Sequence, residues 1–338
     1  MKAVGGVERA SGKGRRSAPS SPRSLLCFPQ LLRTSLAALT FISTLIVSAQ
    51  VDRIATKVEL DEVVITAQKE GFNVEAFIKQ VMEDTTFHKA FLNTRYHPHR
   101  LRSVLKVRAK DEKETASLYR TGFLHRDGAE VWQQLDTVHE TGKLRNRDST
   151  FRYLTAEMYD EVFFPKGRIV ADNTVASRKL ELQRGSKLER YKSELKKFMF
   201  DPGSEIGSVP FIGHKLALFN EDMAPLYDFR ISAGERNGHQ CWVFSAAAKP
   251  EFRDGRTVIK TMDTWFDHVT NNVIARQYRI AHSSLILDFD IRIRVVNSIV
   301  DGALVPTQVD YDGDWDIPMK KRELVRFVLE YSGWRIIG

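Results

Sequence analysis

The sequence predicts an α+β fold that is mainly β: a curved antiparallel sheet, a half-barrel meander, with helices packed on it. Three observations predict it. Leu287, Phe289, Ile291, Ile293 and Val295 alternate with Asp288, Asp290, Arg292 and Arg294, the period of two expected of a strand with one face in the core and one in water. Asn271-Asn272 and Asp301-Gly302 stand between apolar runs as hairpin signals, because these residue types accept the positive φ of tight turns. Val74, Phe77, Ile78, Val81 and Met82 recur at i, i+3, i+4, i+7 and i+8, an apolar stripe on a helix that must pack on something.

In chain order, the first element is an export signal. Leu36–Ala49 is uncharged, follows a basic segment and closes with Val47-Ser48-Ala49. It is shorter than the roughly 20 residues a bilayer crossing needs, and it ends with the small side chains a signal peptidase requires. Residues 1–49 are therefore expected to be a signal peptide cut between Ala49 and Gln50, which makes the mature protein periplasmic or outer-membrane-associated. An uncleaved anchor is the alternative. The formal charge of +8 belongs mostly to this segment, which holds seven of the 51 Lys and Arg and one of the 43 Asp and Glu. With 44 bases and 42 acids left, the mature chain has no basic excess on which to build a nucleic-acid reading. Cys27 lies before the cut, so Cys241 is the only remaining thiol and the mature fold is held by its core, without an intrachain disulfide.

Residues 50–71 read as a linker. Within it, Val58–Ala67 (VELDEVVITA) resembles the TonB box and related strings near the mature N-termini of bacterial envelope proteins, and it is expected to be a strand. Residues 72–338 read as one curved-sheet domain. Asn73 caps the helix carrying the Val74–Met82 stripe. From Leu101 the text turns to β, with runs at Val104, Leu105 and Val107, at Ala116, Leu118 and Tyr119, and at Trp132 and Leu135. Polar turns at Lys110-Asp111-Glu112 and Asp127-Gly128 separate them and favour antiparallel neighbours. Helices near Tyr153–Phe163 and Leu188–Phe200, followed by a glycine-rich loop over 201–213, form a helical insertion near 153–213. Strands over Thr257–Asp267, Val273–Ala281, Leu287–Val295 and Ala303–Tyr311, and a last run over Leu324–Trp334, close a meander of five or six strands.

The common catalytic signatures are missing: there is no G-x-S-x-G elbow, phosphate loop, dinucleotide fingerprint, H-E-x-x-H or paired C-x-x-C. That leans against an enzyme without deciding it. No cofactor is implied. His97-Pro98-His99 offers two imidazoles to a metal, but a site needs further ligands that no spacing supplies, so a solvated His- and Arg-rich loop is the expectation. Asp310, Asp312, Asp314 and Asp316 bracket Gly313, yet a calcium loop needs its glycine sixth and a glutamate twelfth, where this run has Gly313 fourth and Lys321 twelfth. A solvated hairpin with outward aspartates is expected instead. Arg276 shares a strand face with Ile274, Tyr278 and Ile280. It either faces water at an edge or a bulge, or turns inward and needs a carboxylate or carbonyl partner, where it would pin a lid or a ligand headgroup.

The order of elements, the run Leu304–Trp315 (LVPTQVDYDGDW) and the final Trp334 resemble the lipoprotein-carrier (LolA/LolB-like) superfamily of bacterial envelope proteins. The resemblance spans about Phe72 to Gly338 and rests on element order, with no diagnostic motif. It implies a curved half-barrel plugged by helices around an apolar cavity. The leading functional expectation is a non-enzymatic envelope protein that binds a lipid, a lipoprotein or another apolar ligand between sheet and helices. Its ligand-binding candidates are Trp242, Phe244, Arg276, Tyr278, Leu287, Phe289 and Ile291. The alternative is a protein-protein interaction module with a fully packed sheet that docks an envelope partner, and a third reading is a hydrolase built on an Asp/His pair.

Overall fold

The computed structural model describes residues 49–175, 202–203, 213–284, 288–316 and 322–338. The expected signal segment up to Ser48, the helix expected over Leu188–Phe200, most of the loop 201–213, and Leu287 lie outside these residues.

Alternation of apolar and polar residues builds the sheet strand by strand. Its members are β1 (Glu59–Leu60), β2 (His99–Arg108), β3 (Glu114–Asp127), β4 (Glu130–Gly142), β5 (Arg168–Val170), β6 (Tyr227–Arg236), β7 (His239–Ala248), β8 (Ile259–Asp267), β9 (Val273–Ser283), β10 (Asp288–Val300), β11 (Ala303–Asp316) and β12 (Glu323–Ser332). They form one curved, unclosed, mainly antiparallel sheet packed with helices. Its order is β1-β6-β7-β8-β9-β10-β11-β12-β2-β3-β4-β5. The meander β6–β12 is therefore extended, through antiparallel pairing of β12 with β2, by strands from the other end of the chain. Positive-φ residues turn three of the described hairpins: Asn237-Gly238 between β6 and β7, Asp301-Gly302 between β10 and β11, and Asn271 in the longer β8–β9 loop.

The alternation on β10 has the expected sense. Phe289, Ile291, Ile293 and Val295 are buried at 3 % exposure or less, while Arg292 and Arg294 are exposed and Asp288 and Asp290 half-buried on the other face. On that outer face, cross-strand ion pairs run from strand to strand: Arg279 with Asp290 at 2.7 Å, Arg294 with Asp310 at 2.8 Å and Arg326 with Asp312 at 2.8 Å. Being solvated, each contributes little to stability. The inner face meets five short helices: α1, described over 49–55, then α2 (Glu62–Lys69), α3 (Val74–Glu83), α4 (Thr86–Asn93) and α5 (Leu154–Phe163). One apolar cluster joins them to the strands. Among the described residues no helix is long and apolar enough to cross a membrane.

Two expectations change. The strand expected over Val58–Ala67 is confined to Glu59–Leu60, which pairs in parallel with Arg230 and Ile231, and the rest is α2. The reason is local: the Asp61 side chain accepts from the Val64 amide at 2.9 Å, and Glu62 and Lys69 sit at the ends that suit their charges. The run 310–316 is also no hairpin. It is the end of β11, with its aspartates turned outward and Tyr311, Gly313 and Trp315 inward. Gly313 is required there because the Tyr311 ring lies over it, where a Cβ would come 2.3 Å from the phenol oxygen. Trp315 Nε1 donates to that same oxygen at 2.6 Å.

Candidate functional site

The sheet register brings most of the sequence-predicted residues onto one surface. Trp242 and Phe244 on β7, Tyr278 on β9 and Phe289 and Ile291 on β10 are all buried in the inner cluster. Across the sheet Tyr278 pairs with Ile293 and Ile280 with Ile291. Each of the three aromatics with a described ring contact has a partner from this chain. Trp242 lies 4.4 Å from the ring of Phe72, just before α3; Phe244 packs on Phe219 and Phe229; Phe289 packs on Trp315 at 5.2 Å. A pocket between α1 and the 219–229 segment, lined by Ile54, Phe219 and Phe229 together with Arg53, Lys57 and Glu221, has a volume of about 30 Å³, room for a water and far short of an acyl chain.

Arg276 turns inward, and the water-facing alternative is excluded. It is 6 % exposed, its Nε donates to Thr264 Oγ1 at 3.0 Å, its guanidinium reaches Asp84 at 3.4 Å, and it lies over the Phe87 ring at 4.4 Å. Asp84 ends α3, and its carboxylate also accepts from the Thr86 amide and hydroxyl that open α4. One buried cation thus anchors the α3–α4 junction to β9. Such a group needs its carboxylate partner, since an unpaired charge there would be costly.

The helices differ in how they are tied down. For α5 the ties are polar and buried. Glu323 on β12 accepts from the amides of Leu154 and Thr155 at 2.8 and 3.0 Å, capping the helix from outside; Arg120 on β3 pairs with Asp160 at 2.7 Å; and Tyr159 shares a hydrogen bond with Ser103. The chain over 49–70 is held mainly by apolar contact. Among the described residues its polar ties are the β1 pairing, the Asp61 amide donating to the Ile231 carbonyl at 3.2 Å, the Asp61 carboxylate accepting from the Ala233 amide at 3.0 Å, and the exposed Arg53–Glu221 ion pair.

His97 and His99 are not solvated, contrary to expectation. Both are buried, and both are committed. His99 Nδ1 faces the His97 carbonyl at 2.8 Å and must donate to it, while His97 Nδ1 accepts from the Ile337 amide at 3.1 Å. Pro98 accepts from the Arg335 amide, and Trp334 lies 4.2 Å from the His99 ring. The motif fastens the C-terminal segment to the start of β2. Among the described residues no three His, Cys, Asp or Glu side chains converge to hold a metal. Burial pushes His99 down to about 4. Because its folded value lies below the ordinary 6.5, the neutral ring's contribution is complete above pH 6.5 and is lost as pH falls toward 4, a linkage of about 3 kcal/mol. Denaturant titrations at pH 7 and pH 4 should show that loss, and His99→Gln should flatten the slope between them. An equal slope in the variant would assign the loss to other groups.

Among the described residues His239 Nδ1 and Asp267 Oδ2 form an Asp/His pair at 2.8 Å. Burial alone would raise the Asp267 carboxyl, but hydrogen bonds from Thr270, His239 and Val269 outweigh it and hold it below the usual range. Those bonds fold the β8–β9 turn. Cys241, two residues from His239, donates to the His239 carbonyl at 3.4 Å and not to its ring, and burial pushes its thiol up to about 11. A protonated, buried thiol is a poor nucleophile, so the pair is assigned to turn geometry.

No family model matches the chain, and no curated protein matches it. Among solved structures it is similar to a DUF1329 family protein from Desulfovibrio piger, at 12% identity over 74% of this chain and 91% of that one, with a TM-score of 0.25. It is also similar to a putative outer membrane lipoprotein-sorting protein domain from Vibrio parahaemolyticus, at 10% identity over 75% and 92%, with a TM-score of 0.26. At those TM-scores the fold description rests on this chain's own strand order and register.

Proposed function

We propose that the protein is a non-enzymatic, exported binding protein of the bacterial envelope that takes an apolar ligand, a lipid or the acyl chains of a lipoprotein, between the inner face of the sheet and the 49–70 segment. The observation that carries this reading is the contrast in ties. α5 and the α3–α4 junction are pinned by buried ionic and capping interactions, whereas α1 and α2 rest on the aromatic-rich sheet largely through apolar contact. Apolar contact is non-directional, so an acyl chain can replace a helix face at small net cost, while an ion pair cannot be replaced that way. Trp242, Phe244 and Phe289 then form the apolar bed. Arg276 holds the fixed side of the site through Asp84, the pinning role expected of an inward arginine. The export signal at Leu36–Ala49 supports the compartment.

The test is a fluorescent fatty-acid probe added to the purified, folded protein. Saturable binding, displaced by bacterial lipid extract, strengthened by Phe72→Ala and lost in a folded Phe289→Asp variant, is the expected result. Binding that survives Phe289→Asp would remove the site from the inner face. A wild type that binds no probe would favour the interaction-module reading, to which the tight packing around Phe244 and the 30 Å³ pocket lend specific support.

A further inference from the structure

A second site, which shares Phe289 with the apolar bed, lies where β8, β9 and β10 meet the 253–257 loop. Arg253, Asp254, Lys260, Arg279, His282 and Asp288 line a cleft of about 780 Å³ there, together with Phe289. Two ammonium groups are set in place by backbone carbonyls of one loop. Lys215 Nζ donates to the Gly255 carbonyl at 2.6 Å, and Lys260 Nζ donates to the Thr257 carbonyl at 2.6 Å and to the Arg253 carbonyl. Carbonyls orient an ammonium without neutralising it, in contrast to Arg279, whose charge is taken by Asp290. His282 completes the set. Its ring lines the cleft and is 8 % exposed, yet its Nδ1 has no hydrogen-bond partner. Such an unsatisfied buried atom costs about 1–3 kcal/mol, and a turn of the ring toward the cleft would give it a partner.

We infer that this cleft is an oxyanion-binding site, in which Lys260 and His282 receive a phosphate or carboxylate group and Lys215, held beside the cleft on the Gly255 carbonyl, adds its charge. Burial and the two nearby lysines hold the His282 imidazole below its ordinary pKa, with Asp288 the acid that opposes them. An anion seated among them would offset both lysines and favour the imidazolium, which adds a charge-assisted donor. Arg253 and Arg279 also line the cleft, and Asp254 and Asp290 limit the net positive charge, so a single small anion is favoured over a polyanion.

The experiment follows the His282 ring by NMR as inorganic phosphate is added to the full-length folded protein, with chloride at equal ionic strength as reference. Phosphate is expected to raise the His282 pKa by about one unit, saturably, and Lys260→Ala is expected to cut that rise by at least half while leaving the melting temperature close to wild type. Lys215→Ala serves as the second variant should Lys260→Ala not fold. Monomeric dihexanoyl phosphatidic acid separates the two sources of the group. Saturation at tenfold lower concentration than phosphate identifies a lipid headgroup seated beside Phe289, and equal concentrations identify a free oxyanion. A His282 resonance indifferent to both ligands, or a rise that both lysine variants retain in full, would overturn the site.

Discussion

Phe289→Ala is expected to destabilise the protein by about 3–5 kcal/mol, the cost of a lost aromatic and the cavity it leaves in a packed core. Phe289 is 2 % exposed and sits opposite Trp315 on β11 and His282 on β9 in the register. Trp315 cannot collapse into the space freely. Its Nε1 is held by the Tyr311 phenol, and Tyr311 is stacked in parallel on Phe327 at 4.6 Å. Guanidinium unfolding of the variant and wild type reads the difference directly. A change under about 0.5 kcal/mol would mean that the inner face of β10 is not core.

Asp160→Ala should cost a similar amount, about 3–5 kcal/mol, by leaving a guanidinium buried without its counter-charge. Arg120 is 4 % exposed, its Nε is already unpartnered, and its remaining described contact is the Phe164 ring at 4.3 Å. Lys166, 3.7 Å from Asp160 on its exposed side, would gain nothing from the loss. The double variant Arg120→Met, Asp160→Leu should recover most of the stability, since two apolar side chains of similar volume avoid the desolvation that the ion pair suffers. If the single variant unfolds within about 1 kcal/mol of wild type, water reaches Arg120 and α5 is not anchored through it. The ranking of polar against apolar ties behind the proposed ligand site depends on that result.

Several features of this protein were determined by sequence alone, each through short-range chemistry. The period of two on β10 set its two faces, and the positive-φ turn at Asp301-Gly302 set the β10–β11 hairpin. Asn73 set the start of α3, where its side chain accepts from the Ala76 amide at 2.9 Å. The inward face of each strand followed from the same alternation, because which side chains share a face within a strand is a local property, whereas the register that sets β7, β9 and β10 side chains on one surface did not. Other features were decided by tertiary structure. Pairing of β12 with β2 joins residues more than two hundred positions apart, and no local pattern encodes a partner at that distance. Arg276 was ambiguous by alternation, and it turned inward because Asp84 and Thr264, from an interhelix junction and a neighbouring strand, satisfy it there. The β-branched run Val63-Val64-Ile65-Thr66 favoured a strand by propensity, but the Asp61 cap and burial of Val64 on the sheet made it a helix. α4 escaped notice because Phe87, Ala90, Phe91 and Leu92 are buried around much of its circumference, leaving no clean stripe to read. His97 and His99 read as part of a solvated loop by sequence, and the C-terminal segment buries them. Local residue chemistry specifies elements and faces, whereas burial of a charge or an imidazole depends on what the rest of the chain brings to it.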